Sequence, residues 1–73
     1  MTRDEASRLL SKRAEVATAF HLADDGTMQP LPGTRWRTVW VIGLTLRPDG
    51  VELSLDSGQP LLVREGDHHV RKV

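Results

Sequence analysis

The stretch TRWRTVWVIGLTLRPDGVELSL, residues 34–55, decides the fold, because two strands and the turn between them can be read from it. Side-chain character alternates along its first half with a period of two, which is typical of a β-strand. We expect the buried face of this strand to consist of Trp36, Thr38, Trp40, Ile42, Leu44 and Leu46. Arg35 and Arg37 then project from the opposite face. Gly43, in the middle of the strand, predicts a bulge or a sharp bend.

Residues 47–50, RPDG, predict a hairpin turn after this strand. Pro48 presets the first turn dihedral, and Gly50 can supply a positive φ. Apolar and polar residues alternate again beyond the turn, so the returning strand should bury one face. Its apolar members are Val51, Leu53 and Leu55.

The rest of the chain toward the C-terminus predicts two more short strands. Residues 61–64 and 70–73 are apolar-rich and are bounded by turn sequences. His68 and His69 fall in the turn between them, where we expect both imidazoles to be solvated. Neighbouring side chains of an extended chain point apart, so this pair is not expected to bind a metal.

The N-terminal segment, residues 2–17, predicts a helix. Thr2 and Glu5 have the spacing of a capping box, in which each side chain bonds to the backbone amide of the other residue. Asp4 and Arg8 are four residues apart in the favourable order for an ion pair. The apolar stripe of this helix is narrow, which predicts weak packing and a capacity to rearrange on a partner.

Between the helix and the long strand, residues 18–22 alternate like a short strand, residues 23–27 have turn composition, and residues 28–33 are an irregular connector. The sequence therefore predicts an α+β fold, with an N-terminal helix followed by a four- to five-stranded antiparallel meander sheet curled into a half-barrel. We expect one domain over residues 1–73, with the helix at 2–17 and the sheet at 18–73.

Composition excludes several classes of protein. The 73 residues contain no cysteine, and ten basic side chains balance ten acidic ones. Disulfides are therefore excluded, and a neutral chain lacks the basic excess of most autonomous nucleic-acid binders. No apolar stretch approaches the ~20 residues of a membrane span, and the N-terminus does not resemble a secretory signal. We expect a cytoplasmic protein that does not interact with membranes.

The motifs of catalysis are also absent from the sequence, which has no nucleophile elbow, phosphate-cradling glycine loop or metal-hydrolase signature. We expect that the protein is not an enzyme and that it uses no cofactor and no small-molecule substrate. Three alternatives stay open: a structural accessory without a specific ligand and two classes of binding protein. One is a protein-interaction module. The other is an RNA-binding domain, in which Arg35, Trp36 and Arg37 would combine cations with a stacking ring. Steep salt dependence would indicate RNA.

In total length and overall character, the segment MTRDEASRLLSKRAEVATAFHLADDGTMQPLPG with the tryptophan-rich hairpin resembles the small RNA-polymerase-binding transcription regulators of lytic Xanthomonas phages. The resemblance implies a factor that binds bacterial RNA polymerase, inhibits sigma-dependent initiation and promotes antitermination at intrinsic terminators. The implied contacts are the N-terminal segment of the largest subunit and, nearby, the flap of the second-largest subunit. Contact with nascent RNA and assistance by a Nus-type elongation factor stay open. The alternative is a small RNA-binding regulator that acts without polymerase.

The residues expected to contact the partner follow from their chemistry alone. Arginine is enriched in interfaces. The predicted helix and the long predicted strand that begins near Arg35 carry most of the basic side chains. The candidate partner-binding residues are Arg3, Arg8, Leu9, Leu10, Lys12, Arg13, Arg35 and Arg37.

Overall fold

The computed structural model describes residues 1–73 and contains one short helix and seven strands. The elements are α1 (Arg3–Ser7), β1 (Arg13–Ala17), β2 (Phe20–Leu22), β3 (Met28–Pro30), β4 (Trp36–Arg47), β5 (Gly50–Leu55), β6 (Leu61–Val63) and β7 (Val70–Lys72). Five strands form an antiparallel sheet in the order β6-β5-β4-β1-β7, and β2 pairs with β3 in a separate two-stranded sheet. The main sheet is not closed into a barrel. The predicted meander is therefore correct only for β4-β5-β6, because β1 lies between β4 and β7.

The N-terminal helix is much shorter than the predicted 2–17 and ends after five residues. Its start is as expected, since Thr2 and Glu5 make both bonds of the capping box. Arg8 and Asp4 form the predicted ion pair, with 2.9 Å between Nη2 and Oδ2. The chain then turns away at Ser11, which has a left-handed φ of 63°. No helix of this chain is long and apolar enough to span a bilayer.

Strand β1 occupies residues that were predicted to be helical, so the sheet begins at residue 13 rather than 18. It pairs with β4 on one side and with β7 on the other. Ala14 and Val16 are buried on one face of the strand, while Arg13 on the other face is exposed. Because both backbone edges of this segment find partners, sheet pairing outweighs its weak local preference for helix.

Strand β4 buries the face opposite to the predicted one. Val39 and Val41 are 3% and 0% exposed, whereas Trp40 and Ile42 are 49% and 66% exposed. The bulge expected near Gly43 is confirmed, since the pairing with β5 shifts between Val41 and Gly43. The extra residue brings Leu44 onto the face of Val41. Simple alternation therefore fails beyond the bulge.

The β4–β5 hairpin forms where the RPDG sequence predicted it, with Arg47 opposite Gly50. Gly50 is not among the residues with positive φ, so its predicted role in the turn is wrong. A Cβ atom at this position would lie 2.4 Å from the carbonyl oxygen of Val63. Glycine is needed here because β6 approaches closely, which the local sequence does not reveal.

One hydrophobic cluster of 11 buried residues joins α1 to all five strands of the main sheet. All of its members are valine, alanine or leucine, so it contains no aromatic residue. The cluster consists of Ala6, Leu9, Ala14, Val16, Val39, Val41, Val51, Leu53, Leu55, Val63 and Val70. The predicted burial of alternate residues in β5 is confirmed.

The hairpin of β2 and β3 includes residues that were predicted to be an irregular connector. The carboxylate of Asp67, only 1% exposed, attaches this hairpin to the C-terminal turn. Its Oδ1 accepts from the amide of Met28 at 2.9 Å, and its Oδ2 accepts from the amide of Arg64 at 2.8 Å. A buried carboxylate with two amide donors is a satisfied one.

His69 is buried beneath the same hairpin, with 1% of its surface exposed, so the expectation of two solvated imidazoles is wrong for this residue. Its ring contacts that of Phe20, with 5.0 Å between the centroids. His68 is exposed, as expected. Adjacent side chains thus point in opposite directions, and which one is buried depends on the hairpin, a non-local neighbour.

Candidate macromolecule-binding surface

The solvent face of the main sheet brings two tryptophans and two arginines together, and we call Trp36, Trp40, Arg13 and Arg71 the Trp-Arg face. Arg13 on β1 lies opposite Trp40 on β4. The guanidinium carbon of Arg13 is 5.6 Å from the Trp40 ring centroid, and that of Arg71 is 3.8 Å from the Trp36 ring centroid. Both distances are within the range of cation–π attraction.

Trp40 projects from a fixed backbone position on this face. Its amide donates to Oδ1 of Asp56 at 3.1 Å, and its carbonyl accepts from the amide of Asp56 at 3.0 Å. The strand that carries it also pairs with β1 on its other edge. A large ring that is half exposed on an ordered strand can contact a partner without much loss of backbone entropy.

Two cations, Arg13 and Arg71, lie on the Trp-Arg face although the chain as a whole is neutral. Glu15 is the only carboxylate in β1, β4 and β7, and it accepts from Nε of Arg71 at 3.0 Å. Arg37 and Lys72 lie opposite Val16 and Ala14 of β1, so they belong to the other face of the sheet, and Arg47 is paired with Glu52 near the hairpin. Local basicity is therefore available to an anionic partner without a net positive charge.

A groove next to the Trp-Arg face, about 490 Å³ in volume, adds further cations, and we call it the basic groove. Its lining residues are Glu5, Arg8, Leu9, Lys12, Arg13, Lys72 and Val73. Arg8 and Lys72 are paired with acids, Asp4 at 2.9 Å and Glu5 at 3.7 Å. Lys12 and Arg13 make no ion pair, and Arg13 belongs to both the groove and the face.

Four of the predicted contact residues line the basic groove: Arg8, Leu9, Lys12 and Arg13. Leu9 is only 2% exposed and belongs to the hydrophobic core, so its contribution is to packing rather than to direct contact. Leu10 is 48% exposed. The predicted basic N-terminal surface therefore exists, but most of it is an irregular segment and a strand start rather than a helix face.

The other predicted residues lie elsewhere. The guanidinium of Arg3 donates to the carbonyl of Arg47 at 2.8 Å, near the β4–β5 hairpin. Arg35 precedes β4, and Arg37 lies opposite Val16 of β1. Both side chains are exposed. The eight residues thus do not form one continuous surface. Successive side chains of a strand point to opposite faces, whereas a helix brings residues three or four apart to one side.

Sequence reasoning missed the residues that make the solvent face of the sheet distinctive. Trp40 and Ile42 were assigned to the core, and Arg71 was not considered. A usable signal was present, since β4 carries valines on one face and tryptophans on the other. Two apolar faces on one strand mean that either the strand is sandwiched or one face is a binding surface.

Burial lowers the pKa of His69 from its ordinary value of 6.5, because the charged imidazolium is poorly solvated there, and the Asp67 carboxylate partly opposes this. Its Nδ1 atom has no hydrogen-bond partner. The pKa of Glu5 is lowered by the hydrogen bonds that it receives from Thr2. No group of three or more His, Cys, Asp or Glu side chains is arranged to hold a metal ion.

No protein-family model matches this chain, and comparisons with curated proteins and with solved structures found no match.

Proposed function

We propose that this chain is a phage-type transcription regulator that binds bacterial RNA polymerase in the host cytoplasm. It inhibits sigma-dependent initiation and promotes antitermination at intrinsic terminators. The proposed contacts are the N-terminal segment of the largest subunit and the flap of the second-largest subunit. The identity of the partner rests on the resemblance in length and sequence character. The location of the contact rests on the surface described above.

The observation that carries the docking proposal is the exposed segment around Leu10. This side chain is 48% exposed and is flanked by the exposed cations Arg8 and Lys12. An apolar residue inside a charged rim is the usual organisation of a protein interface, and arginine is one of the residues enriched there. We therefore assign residues 8–12 as the polymerase-docking segment.

The docking segment is also suited to an acidic partner. Lys12 has no ion pair within the chain, so its charge is available to carboxylates of another protein. Complementary charge accelerates association and selects among partners. A small domain with a fixed cationic edge can thus compete for a protein surface that a sigma factor also uses.

The test is recovery of polymerase from a bacterial lysate on immobilised protein, followed by promoter and terminator assays with purified polymerase. The variant Leu10→Asp with Lys12→Glu removes the apolar residue and one cation and adds two acids. The matched control, Leu46→Asp with Arg47→Glu, makes the same chemical change at the β4–β5 hairpin, where Leu46 is 66% exposed.

We expect the unaltered chain and the hairpin control to bring down polymerase subunits, lower promoter-dependent initiation and raise read-through. The docking-segment variant should lose all three effects while keeping its circular-dichroism spectrum. Failure of the unaltered chain to recover polymerase contradicts the function. Equal recovery by the two variants contradicts the assignment of the docking segment.

A further inference from the structure

The Trp-Arg face has the parts of a stacking platform. Trp40 is 49% exposed, and Trp36 is partly exposed on the same face of the same strand. Exposed aromatic rings on a sheet, beside cations, are how many proteins hold unpaired bases, because every base has a flat π surface. Ile42, 66% exposed, extends the apolar surface beyond Trp40.

The spacing of the two rings favours a single strand over a duplex. Four residues along a strand correspond to about 13 Å, whereas successive bases within one strand of a duplex are ~3.4 Å apart. Two successive stacked bases therefore cannot lie one on Trp36 and the other on Trp40. A single nucleic-acid strand whose bases are splayed apart can place one base on each tryptophan ring.

The arginines strengthen rather than block such a platform. The guanidinium of Arg71 covers Trp36 at 3.8 Å, and its free face can itself stack on a base. The guanidinium of Arg13 is farther from its ring, at 5.6 Å, which leaves more of the Trp40 surface accessible. Both cations can also bond phosphate oxygens beside the stacked bases.

A path for the phosphates continues from the face into the basic groove. Arg13 belongs to both, and Lys12 and Lys72 line the groove beyond it. Glu15 is engaged by Arg71, so it does not offset the unpaired Lys12 and Arg13.

We infer that the Trp-Arg face binds single-stranded RNA, with bases stacked on Trp36 and Trp40 and phosphates held by Arg13, Arg71 and, in the basic groove, Lys72. The choice of RNA rests on the proposed function, because a regulator bound to transcribing polymerase lies close to an emerging transcript. Stacking and phosphate contacts do not read the 2′-hydroxyl, so DNA of the same sequence should bind similarly.

The test is fluorescence anisotropy of a labelled, unstructured uridine-rich RNA oligonucleotide titrated with the purified chain, without polymerase. Trp40→Ala and Arg71→Ala should each weaken binding, the first by about tenfold, which is typical of the loss of one stacking ring. Trp40→Phe keeps a ring and should restore most of the affinity. Leu46→Ala and Arg47→Ala, exposed residues away from the face, serve as controls and should bind like the unaltered chain.

The experiment is completed by varying the salt concentration and by comparing single-stranded RNA with double-stranded RNA and with DNA. About three phosphate contacts predict a slope of about −2 for log affinity against log salt concentration, at ~0.7 per phosphate for single strands. Double-stranded RNA should bind much more weakly, because its bases are already paired and stacked. Equal binding of duplex and single strand would overturn the inference, as would a more than tenfold preference for DNA.

Absence of RNA binding at low salt, or equal affinities of Trp40→Ala and Leu46→Ala, would also overturn it. Recovery of polymerase is measured separately, so loss of the RNA inference leaves the docking segment tested on its own. If Trp40→Ala abolishes polymerase recovery and leaves RNA affinity unchanged, the Trp-Arg face is a protein interface and the RNA inference is wrong.

Discussion

The two faces of β4 differ in a way that separates stability from function. One face presents Val39 and Val41, which are almost fully buried, and the other presents Trp40 and Ile42, which are about half or more exposed. The smaller side chains hold the fold together, and the larger ones face solvent. In this small protein, side-chain size therefore does not indicate burial.

Close packing explains why the valine face is the buried one. The opposing surface consists of α1 and the inner faces of the neighbouring strands, whose core residues are small or medium-sized. A tryptophan buries up to ~250 Å² and needs a deep core that 73 residues can scarcely provide. Exposed tryptophans cost solubility, and their presence on the sheet is more readily explained by contact with a partner.

The largest effect on stability should appear when a buried leucine and an exposed leucine are each replaced by alanine. Leu53 is 1% exposed and Leu46 is 66% exposed. Leu53→Ala should lower the free energy of unfolding by about 3 kcal/mol, because it removes buried methyl groups and leaves a cavity. Leu46→Ala should change it by no more than about 0.5 kcal/mol. Urea denaturation followed by circular dichroism measures both, and similar losses would contradict the assignment of the core.

Neighbouring residues on β4 give a sharper contrast between its two faces. Val41→Ala should cost about 2 kcal/mol, since two methyl groups are lost from a fully buried site. Ile42→Ala removes more atoms but should cost less than about 0.5 kcal/mol, because the side chain is 66% exposed. A larger loss for Ile42→Ala, measured by the same denaturation experiment, would mean that the faces are reversed.

Acid should weaken the attachment of the β2–β3 hairpin through His69. Its folded-state pKa lies below the ordinary value of 6.5, so the unfolded chain binds the proton first. Stability is therefore full above about pH 6.5 and falls as the pH is lowered toward the folded-state pKa. The carboxylates of Glu5 and Asp25, whose pKa values are lowered from 4.5 and 3.8 by hydrogen bonds to Thr2 and Thr27, contribute stability that is lost only at lower pH.

Melting temperatures between pH 7 and pH 5 measure the histidine effect. His68→Gln changes an exposed imidazole and should keep the decline, whereas His69→Gln should flatten it even if its melting temperature is lower throughout. A decline that persists unchanged in His69→Gln would assign the titration to another group.

A small effect on stability is also expected for Arg71→Ala. This change removes the contact with Trp36 and the ion pair with Glu15, both at the exposed side of the sheet. Such interactions contribute about 0.5 kcal/mol each, and often less. A loss above about 2 kcal/mol in urea denaturation would show that the Trp-Arg face supports the fold rather than presenting a binding surface.

Local signals in the sequence predicted much of this fold. The capping box of Thr2 and Glu5, the hairpin after Arg47, the bulge near Gly43 and the alternation in β5 all depend on residues close together in the chain. Each was read correctly because its physical cause is local.

The predictions that were wrong concern features that depend on residues distant in the sequence. The extent of the helix was wrong because β1 gains two pairing partners, β4 and β7, that no local pattern reveals. His69 is buried because the β2–β3 hairpin covers it. For the candidate surface, Arg8, Lys12 and Arg13 were named from the sequence, whereas Trp40 was assigned to the core, since both faces of β4 are apolar.

Iodide quenching of tryptophan fluorescence in the Trp36→Phe variant tests most directly whether β4 exposes its tryptophan face. Trp40 is then the only tryptophan, and its half-exposed ring lies beside the cation of Arg13, which attracts iodide. We predict red-shifted emission and efficient quenching in the folded protein, close to that of the unfolded chain in urea. Blue-shifted emission that iodide barely quenches until the protein unfolds would contradict the account, because it would place Trp40 in the core.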